Sequence, residues 1–299
     1  MSETPGVDIL QPLPIDKWNL LQNKLKYKWP YYAYHYYWIE TSLKWKKRDP
    51  NIAIEIYCPY GNYENGTFIG INHIGFCSIV LLTLDPNDEI LNKMLTETNI
   101  INWNKEICFA SVHGSIASNV LSSIENLKSL KKVKTSHAFS FNYYFKSAED
   151  CAKVEIKVPD GCYTRSLNTS DVPLINSVWP HRNPVNPELS MKYLSTVIEL
   201  NGGIGLCLRE DDTLVSWAMQ PNWCTLGIVQ TVEEHKGKGY AKVVVNLFAK
   251  KLGEEGIPAV LFIVQGNVPS EKMFKGLGWQ VISPIMWIEC GIIEKSKEE

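Results

Sequence analysis

Bare backbone at the mouth of a helix is the first chemistry legible in this chain. In VQTVEEHKGKGYAKVVVNLFAKKLGEEG, Val229 to Gly256, a β-branched stretch enters a turn with glycines at 237 and 239 and leaves it as a helical pattern. The first N–H groups of a helix have no partner within it, and the helix dipole adds partial positive charge there. An anion, a phosphate above all, satisfies both needs. The glycines let it approach closely, and Lys236 and Lys238 add charge. A G-x-G pair alone is also an ordinary turn. Two other phosphate loops are excluded by spacing. A dinucleotide fold needs a third glycine where Lys242 stands, and GxxxxGK(S/T) does not occur. No protein-kinase signature follows.

The elements that must position this turn alternate between short apolar strands and amphipathic helices, the pattern of an α/β protein. In the second half, CYTRSLN reads as a strand, TSD as a helix N-cap signal, and VPLINSVW as a helix broken by the prolines of PHRNPVNP. ELSMKYLSTVIEL is a second helix stopped by Gly202 and Gly203. The strands IGLCLRE, TLVSWAMQ and CTLGIVQTV lead into the glycine turn. A helix from Tyr240, the apolar strand PAVLFIVQ, a helix around Ser270 to Lys275 and the strand QVISPIMWIE follow. The first half has the same rhythm: two helices, three strands, then helix, strand, helix, strand. That repetition predicts a structural duplication. VHGSIASN, Val112 to Asn119, stands where the glycine turn would be expected but lacks its chemistry. The boundary is expected in KSAEDCAKVEIKVPDG, giving domains 1–150 and 151–299.

TVEEHKGKGYA resembles motif A, (Q/R)-x-x-G-x-(G/A), of the GNAT superfamily of acyl-CoA N-acyltransferases. Gly237 and Gly239 match, with Glu234 in the leading position. NVPSEKMFKGLGW resembles motif B at Asn267, Ser270, Phe274 and Gly278-Trp279. Two motifs separated by an apolar strand are more specific than either alone. LVSWAMQ, the following strand and AKKLGEEGIP further resemble the glycine N-acyltransferase-like group, which carries a divergent N-terminal domain. The resemblance implies a mixed twisted sheet flanked by helices, in two tandem GNAT-like domains with the first degenerate.

It also implies a site. Lys236, Gly237, Lys238, Gly239, Tyr240 and Ala241 would hold the pyrophosphate of acetyl-CoA or another acyl-CoA. The strand carrying Val229, Gln230, Thr231 and Val232 would splay from PAVLFIV and pair with the pantetheine amides. An N–H near Thr231 would polarise the thioester carbonyl. Asn267 and Phe274 would line the channel, Asn267 doubling as a helix cap. Two departures bear on catalysis. Phe274 replaces the tyrosine that serves many members as general acid, and Thr225 falls where the group's glutamate base is expected. Catalysis by orientation alone, a base elsewhere, and binding without turnover all stay open. His181, in the loop expected to face the acceptor, is the candidate base, weighed against an ordinary exposed histidine. Arg182 beside it could pair with an acceptor carboxylate. His235 lies too far from the thioester, and Glu233 reads as a solvated loop charge.

Composition agrees with a globular chain: 45% hydrophobic and 21% charged residues, with a formal net charge of −2. That balance argues against a nucleic-acid binder, which shows a basic excess. The basic runs LKWKKR and LKSLKKVK read as solvated faces. No run reaches eighteen apolar residues, so no membrane association is expected. Eight cysteines make no C-x-x-C pair, and MSETPGVDIL lacks a signal-peptide core. The expected compartment is cytoplasmic; the resemblance leaves a mitochondrial one open, although no transit peptide is seen. The aromatic cluster WPYYAYHYYW should pack at helical spacing, with Tyr31, Tyr34, Trp38, Tyr32 and Tyr36 on covered faces. The expected partner is a small-molecule or peptide amine acceptor; the sequence leaves the oligomeric state open.

Overall fold

The computed structural model describes residues 7–85, 89–130, 132–133 and 136–291. The described residues pack as two compact units: those within 7–46, 51–141 and 283–291 form one, and 47–50 with 142–282 form the other.

In the first unit, β1 (Leu10–Pro12), α1 (Trp18–Lys24) and α2 (Ala33–Arg48) precede β2 (Ile54–Pro59), β3 (Phe68–Asn72) and β4 (Cys77–Leu82). Next come α3 (Glu89–Thr96), β5 (Ile107–His113), α4 (Gly114–Ser129) and β6 (Ser136–Lys146). The strands β1 to β4 pair antiparallel in order. β4 and β5 then pair in parallel, from Cys77↔Ile107 to Ile79↔Phe109, and the pairing stops before either strand ends. β3 is buried along its whole length, consistent with its β-branched and aromatic run. Gly70 in β3 leaves the space that the buried Trp38 indole occupies; a Cβ there would overlap the ring. Tyr32, Tyr34 and Trp38 pack as their spacing predicts, and Tyr36 is partly covered. Tyr31 does not: it precedes the helix and is exposed.

The second unit adds α5 (Ala148–Ala152), β7 (Cys162–Ser166), α6 (Val172–Val178), α7 (Pro187–Asn201), β8 (Gly203–Leu208), β9 (Leu214–Met219) and β10 (Gly227–Thr231). It continues through α8 (Tyr240–Glu254), β11 (Ala259–Val264) and α9 (Val268–Gly276) to β12 (Gln280–Cys290). β7 to β10 form an antiparallel sheet of four, with β10 on its edge. β11 lies beside β6. α8 covers the core through Val244, Val245, Phe248 and Leu252, buried at the i, i+4 spacings of one helix face. The helix α5, in the expected boundary segment, was not legible in the sequence. Gly253 explains its fit against α8, since a Cβ there would overlap the backbone of Ala148, Cys151 and Ala152.

From β1 to β6 and again from β7 to β12 the order is strand, helix, helix, three strands, helix, strand, helix, strand. The duplication anticipated in the sequence is therefore present. It corrects one correspondence. The first-half counterpart of the glycine turn is the β4–α3 junction, TLDPND, and not VHGSIASN, which opens α4 as the counterpart of α9. Residues 86–88 of that junction lie outside the described residues. The final strands are exchanged between the repeats. Residues 285–290 of β12 pair antiparallel with β5 in the first unit, while residues 142–146 of β6 belong to the second. No helix of the described residues is long and apolar enough to cross a membrane.

Candidate anion site at the mouth of a helix

β10 and β11 touch at one end only. Leu226 N–H donates to Val260 O at 3.1 Å, and the buried Thr225 hydroxyl donates to Pro258 O (2.8 Å) while accepting from Val260 N–H (2.7 Å). Beyond these contacts the strands part, β10 remaining with β9 and β11 with β6. The result is a wedge with its apex at Thr225.

Two features aim the β10 backbone into that wedge. Ile228 takes a left-handed φ of 48°, and the β9–β10 register shifts between Gly227 and Gln230, the signature of a β-bulge. After the bulge, Val232 N–H donates to Val215 O on β9. Because alternate residues of a strand face opposite ways in the sheet plane, the Thr231 N–H points to the other side, away from β9. The Thr231 hydroxyl is buried at 2.8 Å from Ser216 Oγ, which also donates to Gln230 O. These hydroxyls tie β10 to β9 and leave the backbone of Thr231 as the polar group facing the gap.

At the wedge mouth, Glu233 to His235 make one 3-10 turn, and the chain then passes through Gly237 (φ 77°) and Gly239 (φ 81°) into α8. A Cβ at either glycine would meet nothing within 4 Å, so backbone conformation, not space, demands glycine here. Among the described residues, no acceptor meets the N–H groups of Gly237, Lys238, Gly239, Tyr240 or Ala241, and Gly239 caps α8 without a side-chain hydrogen bond. Five adjacent donors at a helix N-terminus form an anion cradle. Its flanking charges are partly engaged: Lys236 Nζ lies 2.6 Å from Glu233 Oε2, and Lys238 Nζ lies 3.3 Å from His235 Nδ1. The His235 ring stacks on Tyr240 at 6.2 Å. Glu233 thus tempers the positive charge of the loop.

The remaining sequence candidates divide. Val229, Gln230 and Val232 lie on β10 and in the residue after it, partly exposed. Asn267 is exposed and caps α9, its Oδ1 accepting from Ser270 N–H at 3.3 Å. Phe274 is buried in the core, edge-on to Trp279 at 5.3 Å and 6.4 Å from Tyr144. Its side of α9 is the apolar one that faces the core, so the ring supports the helix. His181 and Arg182 sit in the α6–α7 loop, apart in sequence from the cradle. The His181 ring meets Trp179 edge-on at 6.5 Å; the surrounding protein mass partly desolvates it and lowers its pKa, favouring the neutral imidazole, although its surface remains accessible. Arg182 Nη1 donates to Trp179 O at 3.0 Å, which leaves further guanidinium N–H groups outward. Trp179 stacks on Tyr193, and Tyr193 on Trp223 at 5.0 Å, so α7 fixes this loop to the segment leading into β10. Thr225, Ile228 and Ser216 carry parts of this geometry that residue types alone did not reveal. Cys224 is buried and its thiol is pushed well up by desolvation, which makes it inert.

Residues 203–288 match the family described as FR47-like protein, and residues 9–123 match a domain of unknown function, DUF5645. A Drosophila protein of solved structure superposes with a TM-score of 0.85 at 20% identity, covering 95% of this chain and 98% of that one. A tandem GNAT protein from the clavulanic acid biosynthesis pathway gives 0.54 at 11% identity over 96% and 100%. A conserved protein of unknown function from Staphylococcus epidermidis gives 0.51 at 11% over 75% and 91%. With a splayed strand pair and an uncapped glycine turn inside the FR47-like segment, the chain carries the GNAT fold, and carries it in tandem.

Proposed function

We propose that this protein is an acyl-CoA-dependent N-acyltransferase, with residues 151–299 as its motif-bearing catalytic part and 1–150 as a divergent GNAT-like partner. The observation that carries the reading is the row of five unpartnered N–H groups from Gly237 to Ala241, continuous with an edge strand whose Thr231 amide faces an open wedge. The cradle would take the pyrophosphate of acetyl-CoA or another acyl-CoA, and β10 would meet the arm. Since the cradle lies at the C-terminal end of β10 and the apex at its start, the arm would enter the wedge from the Thr231 end of the strand. The Thr231 N–H, facing the wedge, would stabilise charge developing on the carbonyl oxygen. A neutral amine would attack the thioester directly, with no covalent enzyme intermediate. His181, whose lowered pKa keeps the neutral form populated, is the base candidate, and the outward N–H groups of Arg182 suit an amino-acid carboxylate, as glycine or a relative would present.

A second reading is favoured by a specific observation. The Phe274 ring is buried and cannot donate, and the Thr225 hydroxyl has partners on both sides. A protein that binds acyl-CoA without turnover would show these features. Calorimetric titration with CoA tests what the readings share. The parent should bind, and Gly239→Asp, which sets a carboxylate and an unfavourable φ beside the phosphate, should bind more than about tenfold more weakly. Equal affinity overturns both. Thiol release from acetyl-, benzoyl- and longer acyl-CoA across a panel of amines separates transferase from binder.

A further inference from the structure

We infer that Thr225 is a positioning residue for acyl transfer, its hydroxyl acting as the clasp that sets how β10 and β11 diverge. The inference rests on the acyl-transfer reading above.

The hydroxyl is fully buried and engaged as both donor and acceptor: its hydrogen goes to Pro258 O, and one lone pair accepts from Val260 N–H. One side chain on the β10 side thereby replaces two rungs of ladder, satisfying a carbonyl and an amide that flank Ala259, where β11 begins. Without it both groups would be buried and unpaired, which is costly. The clasp is reinforced by Leu226 N–H to Val260 O and by Cys224 Sγ to Leu226 O at 3.1 Å. Gly227, immediately after it, is packed so closely by Pro221 and Cys224 that a Cβ would stand 3.0 Å and 3.1 Å from them. The chain therefore leaves the apex in a fixed direction before turning at Ile228.

From this fixed point the strand acts as a lever. Leu226 to Thr231 spans at most roughly 16 Å at about 3.3 Å per residue, less the shortening of the bulge at Ile228, so a tilt of about 5° at the apex moves the Thr231 amide by on the order of 1 Å. Displacements of about 1 Å at a reacting centre can cost about a hundredfold in rate. The hydroxyl at this position thus contributes by geometry. A hydroxyl is no base for an ammonium proton, and this one is buried with its hydrogen committed to Pro258 O, so at the place where a carboxylate was expected the residue serves the strand geometry.

The test compares Thr225→Val, which keeps the shape and removes both hydrogen bonds, with Thr225→Ser, which keeps the hydroxyl. In the full chain, hydrogen exchange should quicken by about tenfold in peptides covering 226–232 and 259–264 for the valine variant, while the second half of α8 stays protected. CoA should bind it about tenfold more weakly, and the serine variant should stay within about threefold of the parent on both measures. Parent-like CoA affinity in a folded valine variant overturns the inference. So does a serine variant that is folded yet behaves as valine, or exchange that rises equally throughout α8. Should the valine variant fail to fold, the serine comparison alone decides. If the parent itself does not bind CoA, the acyl-transfer reading fails, while the exchange measurements still decide whether Thr225 is a clasp.

Discussion

Two histidines in the first unit show how much a single side chain can determine. His35 is fully buried with Nε2 at 3.2 Å from Leu81 O, and His113 accepts from Ser115 N–H through Nδ1 to cap α4. Tyr32 lies beside both rings, 6.4 Å from His35 and 5.2 Å from His113, and the Tyr34 ring lies 4.1 Å from His35, tilted by 32°. Burial holds the His113 pKa down at about 4 and that of His35 well below its usual 6.5. Above pH 6.5 folded and unfolded chains are both neutral here, and the histidines add no pH dependence. Below it the unfolded chain gains protons that the native unit refuses, so stability falls by about 1.4 kcal/mol per pH unit per histidine. For His113 alone that reaches roughly 3 kcal/mol near pH 4. His113→Asn keeps a capping acceptor and removes the titration, so its urea midpoint should decline less than the parent's between pH 6.5 and 4. Equal declines would refute the account. At this scale the sequence was selectively legible. Gly237 and Gly239 announced themselves because only glycine suits their φ, whereas Thr225 looked like a missing base because its role depends on Pro258 and Val260, more than thirty residues away.

Elements were more legible than the relations between them. Nearly every strand and helix followed from periodicity and punctuation, including the TSD signal. There Asn168 and Asp171 form a reciprocal capping box, and Asp171 also receives Arg165 at 2.7 and 2.8 Å. Burial pushes the Asp171 carboxyl up, but the Arg165 guanidinium and the Asn168 N–H outweigh it and hold the pKa below the usual carboxylate range. Replacing Arg165 with Met leaves that charge buried and half-paired. Discounted for the partial exposure of the arginine, the loss should be about 2 kcal/mol, read as a lower melting temperature, and a change below about 0.5 kcal/mol would mean that the capping box suffices. The bulge at Ile228 left no trace in residue types, and the parting of β10 from β11 was expected from the motif resemblance alone. Both are relations between strands, and a bulge costs a sequence only one residue. Helix α5 was hidden for another reason: it is short, polar and spaced by few apolar residues, so only Cys151 is buried from it.

For the molecule as a whole, tandem repetition raises the question of how many anion sites it carries. In the first unit β4 and β5 also cease pairing before their ends, but His35 reaches the Leu81 carbonyl past the last paired residue. The junction corresponding to the glycine turn reads TLDPND, acidic and without glycine. Titration with CoA should therefore saturate at one equivalent per chain, and a second site of comparable affinity would contradict this assignment. The repeat itself was legible because periodicity records element order. The exchange of final strands was not, because a strand's pattern records which face is buried and not which neighbour it joins.

That exchange has a consequence during synthesis. His113 pairs with Ile285, so the ribosome must travel from one to the other before β5 gains its partner along that edge. Until then the nascent first half presents a bare strand to whatever surrounds it, and closure over so great a separation is slow. A gene cut between the repeats would encode two pieces, each missing a strand that the other holds.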